Sequence, residues 1–80
     1  MAEWFDQFFE EKKLPSEIFK VEYKGITYWL ESKFVIFQIK SSLPVEREKI
    51  KKLLIRIDSE NGDINDYLRF LAEAYIKTHY

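Results

Sequence analysis

Eighty residues carrying 13 basic and 14 acidic side chains, a formal charge of -1 and no cysteine set the first limits on this chain. That length makes a single domain, read as residues 1–80, which hides only about 60% of the surface its unfolded chain exposes. Balanced charge supplies no overall field for nucleic acid or anionic lipid, and the lack of cysteine removes disulfides, thiolate chemistry and cysteine-ligated metals together.

The longest apolar run, residues 34–37, is far too short for a membrane span, and the opening Met-Ala-Glu-Trp-Phe-Asp has no basic start followed by an apolar stretch. A soluble, unprocessed, cytoplasmic chain is expected. An excess of Lys, Glu and Ile over Asn and Gln resembles the bias of heat-adapted proteins. Compact accessory proteins of phages and archaeal viruses can carry as few signature residues, although no residue here argues for such an origin.

Residues 2–13 read as a first helix, because Trp4, Phe5, Phe8 and Phe9 recur at helical spacing with Glu3, Asp6, Gln7, Glu10 and Glu11 between them. Acidic residues in the first turn and Lys12 and Lys13 in the last suit the helix dipole, and Pro15 stops the helix near Leu14. From residue 17 the period becomes two. Phe19, Val21 and Tyr23 alternate with Lys20, Glu22 and Lys24, and Ile26, Tyr28 and Leu30 alternate with Thr27, Trp29 and Glu31, which predicts two antiparallel strands joined by a two-residue turn at Lys24-Gly25. A second turn at residues 31–33 leads to an expected third strand over residues 34–40, apolar on both faces.

Ser41 or Ser42 is the expected cap of a second helix, with Pro44 in its first turn and Ile50, Leu53, Leu54 and Ile57 along one side. Asn61-Gly62 ends it. Asp63 and Asp66 then open a third helix bearing Ile64, Tyr67, Leu68, Leu71, Ala72, Tyr75 and Ile76. The expected architecture is α+β: an N-terminal helix, a three-stranded antiparallel meander and a C-terminal αα-hairpin packed on one face of the sheet.

Catalytic signatures are missing. The acidic loop at residues 58–63 lies between two helices as a calcium loop would, but with Gly62 at the sixth position Ile57 takes the first ligand position and Leu68 the twelfth, and neither supplies a carboxylate. Glu22-x-Lys24 resembles the strand triplet of metal-dependent nucleases, yet the only upstream Asp, Asp6, sits on a predicted helix, and alternating charge on a solvated strand face yields the same triplet. His79 has neither a second His nor a Cys to form a metal site or a nucleophile–base pair, and reads as part of a frayed tail. With glycine only at positions 25 and 62 there is no phosphate-binding loop. No enzyme activity, cofactor, metal or membrane contact is expected.

Two binding surfaces suggest themselves. Aromatic residues make up 18% of the chain and crowd its first half. Because the C-terminal helices already offer two apolar stripes to the sheet, Trp4, Phe5, Phe8 and Phe9, together with Tyr28 and Trp29 of the hairpin, are the candidate protein-interaction face, with a homodimer or a protein partner as occupant. The alternative is nucleic acid. Arg47, Lys49, Lys51, Lys52 and Arg56 stand against only Glu46 and Glu48 on one predicted helix, and such a run either contacts phosphates or forms an ordinary solvated face with Glu46–Lys49 and Glu48–Lys52 pairs.

Overall fold

The computed structural model describes residues 3–80; position 2, with which the expected first helix opens, lies outside them. In chain order the elements are α1 (Glu3–Lys12), β1 (Ile18–Tyr23), β2 (Ile26–Glu31), α2 (Ser32–Lys40), α3 (Pro44–Ser59) and α4 (Ile64–His79). The class is α+β, as the sequence implies. Among the described residues, however, the sheet has two strands and not three.

β1 and β2 pair antiparallel, with Tyr23 opposite Ile26, Val21 opposite Tyr28 and Phe19 opposite Leu30. The turn between them places Lys24 and Gly25 both at positive φ, 53° and 76°, the type I′ geometry whose twist matches the strands it joins. Phe19 and Val21 are buried, while Lys20 and Glu22 between them are exposed. One face of the hairpin therefore meets the helices, with α4 beneath β1 and alongside α2.

The expected third strand is the helix α2. At helical spacing Ser32, Val35 and Ile39 fall on one buried stripe, and Phe37 turns outward. A strand of the same residues would be apolar on both faces and would need cover on both, which the rest of this short chain does not supply. The switch occurs without a loop. Glu17 and Ser32 stand where the hairpin's next hydrogen-bonded pair would fall, and the Ser32 amide donates to the Glu17 carbonyl at 2.8 Å. The return bond differs, because the Ser32 carbonyl now belongs to the first turn of a helix. Glu17 N–H instead donates to the Ser32 hydroxyl at 3.2 Å. A buried side-chain oxygen thus completes the ladder while the backbone leaves it.

Ser41 and Ser42 consequently end α2 instead of capping α3. Ser41 is the C-cap of α2 and the Ser42 hydroxyl donates to the Gln38 carbonyl at 2.9 Å, whereas the N-cap of α3 is Leu43, with Pro44 in the first turn where its missing N–H costs nothing. The predicted αα-hairpin is present. Asn61, at φ 58°, takes the left-handed position; its amide donates to the Asp58 carbonyl at 3.1 Å, and the Gly62 amide donates to the Ile57 carbonyl at 2.7 Å. This pair of bonds is the Schellman arrangement, with Gly62 needed for space, since a Cβ there would sit 2.8 Å from Ile57 Cγ2. Asp63 caps α4 by accepting from the Asn65 amide at 2.8 Å.

Leu54, Leu68, Ala72 and Ile76 join Phe19, Val21, Val35 and Ile39 in the core. α1 covers a further side of that core. Its Phe5 and Phe8 are 3% and 8% exposed, and ion pairs tie it at two points, Asp6 to Lys40 and Lys12 to Asp58, both at 2.6 Å. These pairs are partly solvated, so each contributes at most about 1 kcal/mol and serves mainly to orient the helix. The radius of gyration, 12.7 Å, exceeds the roughly 11.6 Å typical of a compact chain of this length, in keeping with extents of 36 × 25 × 19 Å.

Removing the Ser32 hydroxyl strands the Glu17 amide, so Ser32→Ala should lower unfolding free energy by about 1–3 kcal/mol in urea titrations. Ser41→Ala, at an exposed cap that acts through its backbone, should stay within about 0.5 kcal/mol of the parent. Gly62→Ala should cost about 1 kcal/mol or more by the same measurement, because both the Ile57 side chain and its carbonyl crowd the added methyl group.

Candidate functional site

The aromatic stripe of α1 is spent on the chain's own core. Trp4 stacks on Phe8 at 4.9 Å, Phe5 lies 6.4 Å from Phe9, and edge contacts link Trp4 with Phe5 and Phe8 with Phe9. Phe5 and Phe8 are buried, and Trp4 and Phe9 are half-buried against the same cluster. Of the four α1 aromatics expected at an interaction face, Phe5 and Phe8 belong to the core, while Trp4 and Phe9 keep part of their surface exposed. With residues 34–40 forming a helix, there is no broad sheet for every stripe to pack on, and α1 instead covers the flank of α3 and the end of α2.

Of the hairpin residues, Tyr28 is half-buried under Tyr80, its ring 4.9 Å away. Trp29 stands clear. It is 65% exposed on the face of the hairpin turned away from the helices, with Lys20 Nζ 6.0 Å from its ring. Ile18 on the same face and Ile26 at the hairpin tip are also more than half exposed. Sequence reasoning passed over both isoleucines because alternation alone does not reveal which end of a strand overhangs its cover.

The five cations of α3 do not form one patch. Arg47 and Lys51 lie toward α2 and α1: Arg47 donates to the Lys40 carbonyl at 3.4 Å, and Lys51 Nζ sits 5.3 Å over the Trp4 ring. Lys49, Lys52 and Arg56 follow one another along the outer face at i, i+3 and i+7. Lys49 pairs with Glu46 at 3.8 Å and Arg56 with Glu60 at 3.2 Å, which leaves Lys52 without such a contact among the described residues. Three cations interleaved with carboxylates give a weaker positive field than the sequence count suggests.

A groove of about 490 Å3 runs between α2, α3 and α4, within the size range of small-ligand sites. Its floor is apolar, built from Leu30, Val35, Ile39, Ile50 and Leu71. Phe34 and Tyr75, in edge contact at 5.3 Å, line it from α2 and α4. Glu46 and His79 are its charged or titratable rim, and His79, far from fraying, ends α4 with its ring stacked 4.1 Å from Tyr75 and Nδ1 3.0 Å from the Tyr75 carbonyl oxygen. Farther along α4, burial pushes the Tyr67 hydroxyl above its ordinary pKa.

The remaining candidates stay apart. Glu22 and Lys24 project from the hairpin while Asp6 pairs with Lys40, so the nuclease-like triplet gains no third group. The loop at residues 58–63 is the Schellman stop and N-cap described above. No helix among the described residues is long and apolar enough to cross a membrane. No protein-family model matches the chain, and no curated protein or solved structure matches it.

The assignment of aromatics to core and surface has a direct readout. Phe8→Ala should cost about 3–5 kcal/mol, enough to leave so small a domain largely unfolded, whereas Trp29→Ala should change stability by less than about 1 kcal/mol in the same thermal or urea melts.

Proposed function

We propose that this chain acts by binding and not by catalysis, and that its first partner is a second copy of itself. The observation that carries this reading is where large apolar side chains remain after the core has taken its share. Trp29, Ile18 and Ile26 on the hairpin, Leu53 and Phe70 on the αα-hairpin, and Leu43 and Val45 at the start of α3 are all exposed. Isolated apolar residues on a surface are ordinary, but aromatic and aliphatic groups gathered on one small element are favoured contact anchors. The side chains of the groove's titratable residues, Glu46, Tyr75 and His79, make no hydrogen bond to one another among the described residues, His79 contacting only the Tyr75 backbone carbonyl, which gives no support to an acid–base or nucleophilic site.

Nucleic acid is the second reading, through Lys49, Lys52 and Arg56. Light scattering across protein concentration, at low and high salt, separates the two readings. Self-association through apolar contacts should appear as a concentration-dependent dimer that persists or strengthens in high salt. A monomer at every concentration overturns it. Binding of an oligonucleotide that falls steeply with salt would favour the basic face of α3 instead.

A further inference from the structure

The groove between α2, α3 and α4 stands apart from the exposed side chains invoked for self-association, since none of those lines it. Its polar residues come from neighbouring element ends. Gln38 belongs to the last turn of α2, Ser42 to the link that follows, Glu46 to the first turn of α3, and Thr78 and His79 to the last turn of α4. Because α3 and α4 form a hairpin, the first turn of one lies toward the last turn of the other, and residues 41–43 tie the end of α2 to the start of α3. The groove therefore has a polar end and an apolar floor.

Hydrogen-bond accounting gives that end a sign. The Ser42 hydroxyl donates to the Gln38 carbonyl at 2.9 Å and the Thr78 hydroxyl to the Ala74 carbonyl at 2.8 Å, so each has spent its proton and keeps oxygen lone pairs. A carbonyl oxygen can only accept, so His79 Nδ1, 3.0 Å from that of Tyr75, carries the hydrogen there, and Nε2 of the neutral ring is left as an acceptor. Glu46 adds a carboxylate. Against these four acceptors only the Gln38 amide and the Tyr75 hydroxyl can donate, and no Lys or Arg lines the groove among the described residues. Lys49 reaches Glu46 from outside at 3.8 Å, a loose contact between two exposed side chains. Two of the three helix ends, those of α2 and α4, are also the negative ends of their dipoles, while Glu46 offsets the positive end of α3.

We infer that this groove binds a small organic cation, with an apolar body on the floor and a protonated amine at the polar end. An ammonium brings donors and no acceptor, which matches lone pairs on Ser42, Thr78 and His79 and the charge of Glu46. A carboxylate or phosphate on the same body would meet Glu46 with like charge and find few donors. The volume of about 490 Å3 suits a small molecule, with contact to side chains such as Phe34 and Ile39 supplying affinity and the polar end fixing orientation.

Three probes on one scaffold test the sign of the site: naphthylmethylammonium, naphthylmethanol and naphthoate, titrated into isotope-labelled protein at neutral pH and followed by amide chemical shifts. The ammonium should bind tightest, with the alcohol weaker by about 5-fold or more and the carboxylate weaker again, and the shifts should centre on Ile39, Ala74 and Thr78. Glu46→Gln should cost the ammonium about 5-fold in affinity and leave the alcohol unchanged. Ala74→Trp, at an exposed position on the groove wall, should fill the space and remove the shifts for all three probes. Both substitutions lie on exposed helix surface and should keep a native circular dichroism spectrum. The order of the three probes on the unaltered protein stands even where a variant misfolds. Equal affinities, a preference for the carboxylate, or ammonium binding that a folded Glu46→Gln protein retains in full overturns the cation assignment. Failure of every probe to give saturable shifts overturns the site, and none of these outcomes touches self-association, which light scattering decides.

Discussion

At Ser32 a strand becomes a helix in a single residue, and the hydroxyl there holds the arrangement together. Strand pairing requires an acceptor for the Glu17 amide, and helix formation requires the Ser32 carbonyl for its own ladder; one residue cannot give the same oxygen to both. The Ser32 side chain supplies the second oxygen, buried at 4% exposure. With the transition fixed, α2 lies back along the hairpin and sets Val35 and Ile39 into the core, from which the position of α3 and the span of the groove follow. A short unbranched hydroxyl suits this place, since it reaches the neighbouring amide without filling the space the turn needs.

Local chemistry made much of this fold legible. The Lys24-Gly25 turn, the Asn61-Gly62 stop, the Asp63 cap and the stripes of α1 and α4 each carry a signal within a few residues, and each stands where that signal places it. Residues 34–40 carry conflicting signals. Val35, Ile36 and Ile39 are β-branched and Phe34 and Phe37 aromatic, all favoured in strands, whereas the helix that forms is decided by which neighbours are available to cover it. Nothing local records that the sheet has no room for a third strand. The misplaced caps at Ser41 and Ser42 descend from the same error, since a serine pair between a strand and a helix reads as an N-cap and between two helices as a stop.

The site was less legible than the fold. A surplus of aromatic residues is visible in the composition, but its location depends on which stripes the core absorbs. Phe5 and Phe8 are spaced no differently from residues that would dock on a partner; only the ties of Asp6 and Lys12 to distant residues of the chain show that α1 is turned inward. Conversely, Trp29 is plain in the sequence, and that it stands clear emerges only when the helices prove to pack against the opposite face of the hairpin.

The attachment of α1 bears on how the chain is made. Its partners lie far downstream: Asp6 waits for Lys40, 34 positions later, and Phe5 and Phe8 wait for a core completed by Leu54, Leu68 and Ile76. At translation rates of about 5–20 residues per second, the aromatic face of α1 leaves the ribosome roughly 2–7 s before Lys40 does. During that interval the aromatic stripe of α1 has nothing of its own to cover it, which makes the nascent N-terminal segment a natural client for a chaperone that shields aromatic surface during synthesis.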